Sequence, residues 1–133
     1  MTGEEDLHNL LSSLSPVVME GEFVFCTFAG SGYGDNSGLE PIASYMEREG
    51  LTLIVPRHKA DEHAIAYESV FRCITLTVHS SLEAVGLTAA VAETLAERGI
   101  SANVVAAYYH DHIFVPSRQV ERARQALDRL AHP

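Results

Sequence analysis

The feature that most constrains the fold is the passage of a strand pattern into a helix pattern between residues 70 and 98. Along the strand pattern, three alternating apolar residues would face a layer of helices: Ile74, Leu76 and Val78. Along the helix pattern, three apolar residues recur about one turn apart: Leu87, Val91 and Leu95. Gly99 then follows as a helix stop. A half-buried strand that leads directly into an amphipathic helix predicts a sheet covered by helices.

The remaining segments extend this alternation over the whole chain. The patterns predict strands at 22–29, 41–49, 51–56, 102–109 and 112–115, and helices at 6–14, at 59–67 and from Pro116 onward. One predicted hairpin turns at Gly50 and the other at His110 and Asp111. The last helix carries an apolar stripe: Val120, Ala123, Leu127 and Leu130. Four glycines among the nine residues 30–38 predict a loop.

The order of these segments contains two copies of a split β-α-β unit, the ferredoxin-like motif. The first copy has the glycine loop in place of its first helix, and the second copy lacks its closing strand. In this motif the first and last strands are antiparallel neighbours, so strand 22–29 can complete the second copy while strand 70–79 closes the first. We therefore predict an α+β fold of ferredoxin-like βαββαβ type, with two intertwined copies that share one antiparallel sheet and carry helices on one face.

This arrangement also predicts domain boundaries and a strand order. Residues 1–69 would form a degenerate N-terminal half, and residues 70–133 a C-terminal half completed by strand 22–29. The predicted strand order across the sheet is 41–49, 51–56, 22–29, 70–79, 112–115 and 102–109.

Composition limits the partners and the compartment. The 133 residues carry a formal net charge of −9, which repels phosphate backbones and argues against nucleic acid as a partner. No run of about 18 apolar residues occurs, so we expect no membrane span. The two cysteines, Cys26 and Cys73, lie in apolar strand patterns, which favours buried reduced thiols in a cytoplasmic protein.

The stretch VHSSLEAVGLTAAVA, residues 78–92, is the candidate functional site, because there a strand ends and a helix begins. The first turn of a helix has unpaired backbone N–H groups and a partial positive charge, so it suits a carboxylate. Gly86 would let a ligand approach the backbone closely, although a glycine before a helix also serves plain steric fit. Glu83 or Asp111 could meet an ammonium or guanidinium group.

The run GLTAAVAETLAERGISANVVAAYYHDHIFV resembles the core of an ACT domain, which has a glycine at the strand-to-helix turn, an apolar helix ending in LAE-x-GI, and a hairpin. With LTVHSSLEAVGL before it, the chain is similar to bacterial ACT-like proteins related to the CASTOR arginine sensors. The resemblance covers Phe71 to Leu130 well and Phe23 to Ala66 more loosely. It implies regulation by a bound small molecule, usually an amino acid, at interfaces between ACT units that pair side by side, and hence a homodimer.

The resemblance also implies a set of ligand-binding residues. The turn contributes Ser80, Ser81, Leu82, Glu83, Val85 and Gly86, and the hairpin contributes Ala107, Tyr108 and Asp111. In the arginine sensors an acidic residue at the position matching Asp111 meets the ligand's side chain.

Two other functions stay open as alternatives, a metal site and an interaction module, whereas nucleotide binding and nucleophilic catalysis lack their motifs. His110 and His112 flank Asp111, and with His79 as a third ligand they could bind zinc. Nucleotide binding is not supported, because Asp35 stands where the G-x-G-x-x-G pattern needs its last glycine and no Walker lysine is present. Nucleophilic catalysis is not supported either, because the sequence has no G-x-S-x-G elbow. A dimerisation or interaction module without a ligand remains open. We therefore expect a regulatory protein that is not an enzyme and has no cofactor and no metal.

Overall fold

The computed structural model describes residues 6–78 and 85–133. In these residues seven strands and four α-helices follow one another along the chain: α1 (Leu7–Ser13), β1 (Pro16–Val18), β2 (Phe23–Phe28), β3 (Ala43–Glu47), β4 (Gly50–Pro56), α2 (Arg57–Glu62), β5 (Phe71–Leu76), α3 (Leu87–Ala96), β6 (Asn103–Ala106), β7 (Asp111–Pro116) and α4 (Val120–Ala131). Short 3-10 turns occupy Ser37–Leu39 and Ser117–Gln119. Within the described residues, no helix is long and apolar enough to cross a membrane.

The chain divides into two compact units, one of which is inserted into the sequence of the other. The split unit consists of Met1–Glu20 and Arg72–Pro133, and the inserted unit is Gly21–Phe71. Each unit has its own cluster of buried apolar side chains. The predicted division into residues 1–69 and 70–133 concerns copies of a sequence motif rather than contacts, and it stays a prediction.

In the split unit, β5 is hydrogen-bonded to both β1 and β7. β1 runs antiparallel to β5 from the pair Pro16 and Leu76 to the pair Val18 and Ile74. β6 and β7 form an antiparallel hairpin. The sequence patterns did not predict β1, because three residues that begin with proline carry no readable alternation.

The core of the split unit lies between these strands and α1, α3 and α4. The strand residues predicted to face the helices and the apolar residues predicted along the helix are all buried: Ile74, Leu76 and Val78 in the first set and Leu87, Val91 and Leu95 in the second. Leu10 and Leu14 add the apolar face of α1. Gly99 has a φ of +69°, and the amide of Ile100 donates to the carbonyl of Leu95 at 3.0 Å, which confirms Gly99 as the stop of α3.

The inserted unit is built on the antiparallel strands β2, β3 and β4, with β4 between the other two. Its hairpin turns at Arg48 and Glu49, because Gly50 already pairs with Glu47, so the prediction of a turn at Gly50 is wrong by one residue. Leu39, from the 3-10 turn, enters the core of this unit.

The helix predicted at 59–67 is shorter than expected and starts earlier, as α2. Ala64 adopts a left-handed φ of +54°, and the amide of Ile65 donates to the carbonyl of Ala60 at 2.9 Å. This backbone arrangement closes a helix end, and apolar spacing alone does not reveal it.

β5 belongs to both units, since its first residue, Phe71, pairs with Phe23 in the inserted unit and the residues from Arg72 onward lie in the split unit. The hydrogen-bonded strand order is β3-β4-β2-β5-β7-β6. This order confirms the predicted one and, with it, the ferredoxin-like α+β class.

Candidate functional site

The structure describes five of the nine predicted ligand-binding residues. Ser80, Ser81, Leu82 and Glu83 lie outside the described residues. The other five all belong to the split unit: Val85, Gly86, Ala107, Tyr108 and Asp111. The site can therefore be analysed from its two sides, the start of α3 and the β6–β7 hairpin.

The first turn of α3 has backbone amides that the helix itself does not bond. Gly86 is the N-cap, and as a glycine it has no side chain to form a capping hydrogen bond. The first bond within the helix runs from the amide of Ala90 to the carbonyl of Gly86, at 2.9 Å. The preceding amides of the first turn consequently have no partner within the helix, and no acidic residue occupies that turn. These are the features that favour an incoming carboxylate.

Two features of the structure favour a glycine at position 86: its backbone conformation and the close approach of Leu7. Its φ of +100° lies in the left-handed half of backbone space, which glycine adopts readily. A methyl group on its Cα would lie 3.1 Å from Cδ2 of Leu7, the first residue of α1. The beginning of α1 therefore covers the N-cap of α3, while Leu10 anchors α1 in the core.

The β6–β7 hairpin has a four-residue tip, from Ala107 to His110, and the amide of Ala107 donates to the carbonyl of His110 at 3.1 Å. Asp111 is the first residue of β7 and pairs with Ala106, so the prediction that placed the tip at His110 and Asp111 is wrong. Tyr108 and Tyr109 are exposed and pack edge to face with ring centroids 5.0 Å apart.

Two histidines connect the hairpin to β5. His110 Nδ1 lies 3.5 Å from the carbonyl oxygen of Val78, two residues after the end of β5. His112 Nδ1 is 2.9 Å from the hydroxyl oxygen of Thr75. Both contacts join the β6–β7 hairpin to residues of β5 or just after it, within the split unit.

Asp111 is the one carboxylate among the predicted ligand-binding residues that the structure describes. It shares the strand alternation of Ile113 and Val115, which are buried under the helices, so it lies on the helix-covered face of β7. Burial raises the pKa of the Asp111 carboxyl, although the nearby His112 and His110 act to lower it. A cationic partner would stabilise the ionised form of this partly buried carboxyl.

The zinc alternative is not supported by a ligand cluster. Among residues 6–78 and 85–133, no three His, Cys, Asp or Glu side chains converge to hold a metal ion. His112 Nδ1 is bound to Thr75, and burial lowers its pKa. His79, the predicted third ligand, lies outside the described residues.

Sequence reasoning missed two residues at this site. The bond between Thr75 and His112 requires knowledge of the strand pairing, which no local pattern gives. Leu7 was assigned to a short amphipathic helix, and nothing in local spacing indicates its contact with Gly86.

Comparison with known proteins gives the family. Sequence profiles of the ACT domain match residues 2–72 and residues 68–129. No curated protein matches the chain. The similarity to the CASTOR arginine sensors stays a prediction.

Solved structures share this architecture over nearly the whole chain. A Vibrio cholerae protein of unknown function, described as a possible transport protein, is 54% identical, with 94% of this chain and 95% of that chain covered and a TM-score of 0.86. An Agrobacterium tumefaciens protein is 14% identical over 89% of each chain, with a TM-score of 0.67. The ligand-free regulatory subunit of aspartate kinase from Thermus thermophilus is 10% identical over 89% of this chain and 97% of that one, with a TM-score of 0.63. The last two similarities show a shared fold, and the profile matches together with the fold show that the chain belongs to the ACT-domain family.

Proposed function

We propose that this chain is a regulatory protein without catalysis of its own, which binds an amino acid or a similar small metabolite in the split unit. The binding site would lie between the turn at residues 79–86 and the β6–β7 hairpin. One observation carries the proposal: the partly buried Asp111 carboxyl lies on the helix-covered face of β7, at the end of the β6–β7 hairpin where His110 contacts Val78.

The chemistry of the two sides suits a ligand with charges of opposite sign. The amides of the first turn of α3, which have no partner within the helix, favour the ligand's carboxylate. Asp111 favours an ammonium or guanidinium group, because a cation within hydrogen-bonding distance would compensate its loss of hydration. An amino acid carries both groups.

Helix α1 offers a route from ligand binding to a conformational response. Leu7 contacts Gly86, so a ligand seated against Gly86 would compete with the Leu7 side chain. α1 has only seven residues, and its N-terminal end is less buried than Leu10. A ligand that favours one position of α1 would shift the population of that position, and a partner could sense the shift.

Homodimerisation and a cytoplasmic location also belong to this proposal. The ACT family membership supports pairing between units. Cys26 and Cys73 are buried free thiols, and burial raises the pKa of both, which keeps them unreactive and suits a reducing compartment.

The experiment is a thermal-melting screen of the full chain against the common amino acids. A ligand at 100 times its dissociation constant stabilises the folded state by about 2.7 kcal/mol, which raises the melting midpoint by several degrees. Asp111→Asn should abolish most of this shift. Asp128→Asn, which removes an exposed carboxylate from α4 of the same unit, should leave it unchanged. A screen without any shift, or an Asp111→Asn protein that responds like the unmodified chain, would refute the proposal.

A dimerisation module without a ligand is the second candidate, favoured by the exposed pair Tyr108 and Tyr109. Aromatic side chains of this kind are enriched at protein interfaces. A chain that forms dimers in sedimentation experiments and gives no shift in the screen would support this candidate instead.

A further inference from the structure

The inserted unit has a gap in its layer of helices. In the split unit, α3 follows the first strand of the motif and covers the sheet over ten residues. In the inserted unit, Gly21–Phe71, all residues are described, and the corresponding segment after β2 forms turns and the 3-10 helix Ser37–Leu39. Leu39 alone from this 3-10 helix reaches the core. Part of the helix-side face is therefore left without a helix.

The uncovered part lies at β3, the outer strand of this unit. Ser44 pairs with Leu53, a core residue, so Ser44 lies on the same face of the sheet as α2. Ile42 and Met46 alternate with Ser44 and share that face, yet 45% and 49% of their surfaces are exposed. These are positions that a helix would cover in a complete copy.

A cavity of about 240 Å³ occupies this place. Its walls come from the glycine loop, through Tyr33, Asp35 and Ser37, and its floor from Ile42, Ser44 and Leu53. The volume falls below that of sites for drug-sized ligands and suits a molecule of fewer atoms.

The charges around the cavity select the kind of ligand. Asp35 is the acidic group of the lining, and no basic side chain takes part in it. The Asp35 carboxylate is fixed in position, because its Oδ2 accepts a hydrogen bond from the amide of Gly32 at 2.7 Å. The exposed ring of Tyr33 adds a face that attracts cations. A carboxylate or phosphate ligand would meet repulsion from Asp35 here, whereas an ammonium group would meet two favourable partners.

We propose that this cavity binds a small organic amine, with the ammonium group at Asp35 and Tyr33 and an apolar body over Ile42 and Leu53. The site is separate from the one proposed in the split unit, and it does not depend on that proposal. The cavity exists because the glycine loop stands where a complete copy of the motif would have a helix.

The test is an NMR titration of the full ¹⁵N-labelled chain with phenethylamine, compared with 3-phenylpropionate, which has a similar body and a carboxylate. Phenethylamine should shift the amides of residues 32–37 and 42–44, and 3-phenylpropionate should not. Asp35→Asn keeps an oxygen for the Gly32 amide but removes the charge, and should weaken amine binding about tenfold or more. Ser44→Leu leaves Asp35 intact and fills the cavity, and should also remove binding.

Asp128→Asn in the split unit is the matched control and should bind the amine like the unmodified chain. The amide spectrum of each variant reports its folding in the same experiment. The proposal is overturned if neither compound shifts the amides at millimolar concentration, if both compounds bind equally, or if Asp35→Asn binds the amine unchanged. Shifts confined to the region of Gly86 and Asp111 would also overturn it, and they would leave the split-unit site standing.

Discussion

Replacing Gly86 by alanine tests the geometry of the turn on which the proposed ligand site depends. A φ of +100° places an L-amino acid in the left-handed half of backbone space, at a cost of about 1–2 kcal/mol. The added methyl group would lie 3.1 Å from Cδ2 of Leu7, inside the usual contact distance of about 3.5–4.0 Å. Leu7 is 37% exposed and can give way, so the backbone term dominates.

We therefore expect the free energy of unfolding to fall by about 1–2 kcal/mol. For 133 residues, with an unfolding entropy of about 2 cal/mol/K per residue, the melting midpoint should drop by about 4–7 °C. Differential scanning calorimetry measures both quantities on the ligand-free chain.

Gly99→Ala provides the matched control. Its φ of +69° is also left-handed, but no atom lies within 4 Å of the added methyl group, so only the backbone cost applies. In a Leu7→Ala background, Gly86→Ala should lower the free energy of unfolding by about as much as Gly99→Ala does. The reason is that the added methyl group no longer meets the Leu7 side chain. An unchanged melting midpoint for Gly86→Ala, beside a clear loss for Gly99→Ala, would refute the described conformation of the turn.

Two further predictions concern the same unit. Leu95→Ala removes a fully buried side chain of α3 and should cost about 2–5 kcal/mol in chemical denaturation, so a loss below about 1 kcal/mol would contradict the described core. Because burial raises the pKa of Asp111, ionisation of this carboxyl destabilises the folded state as the pH rises above its unfolded pKa of about 3.9. Asp111→Asn should thus be more stable than the unmodified ligand-free chain at pH 7, and the difference should disappear on acidification through this range, whereas a pH-independent difference would contradict the buried position.

The alternation of strands and helices was predictable because it follows from the spacing of apolar residues along the chain. Ile74, Leu76 and Val78 repeat every second residue, as on one face of a strand. Leu87, Val91 and Leu95 repeat every fourth residue, as on one face of a helix. The strand order then followed from the two copies of the motif, because the first and last strands of each copy must be antiparallel neighbours.

Features that depend on distant contacts were not predictable. β1 is three residues long and exists because Pro16, Val17 and Val18 pair with β5, which lies more than fifty residues away. α2 ends at Glu62 because Ala64 turns left-handed, an unusual conformation for a residue with a side chain. The contact between Leu7 and Gly86 likewise joins residues that no local pattern relates.

The resemblance supplied nine candidate ligand-binding residues, and the structure describes five of them. Asp111 was predicted at the exposed tip of a hairpin, but it is the first residue of β7, where burial changes its chemistry. The cavity beside Ser44 had no sequence signal of its own. The sequence predicted that a loop replaces the first helix of the first copy. It did not predict the cavity, which depends on how Leu39 and the glycine loop pack.

A crystal structure of the full chain with the amino acid that gives the largest melting shift tests the central claim most directly. The account predicts ligand density in the split unit, with its carboxylate at the amides that begin α3 and its cationic group at Asp111. Density for the ligand in another place, or a junction filled by the protein's own side chains in every copy, would contradict it.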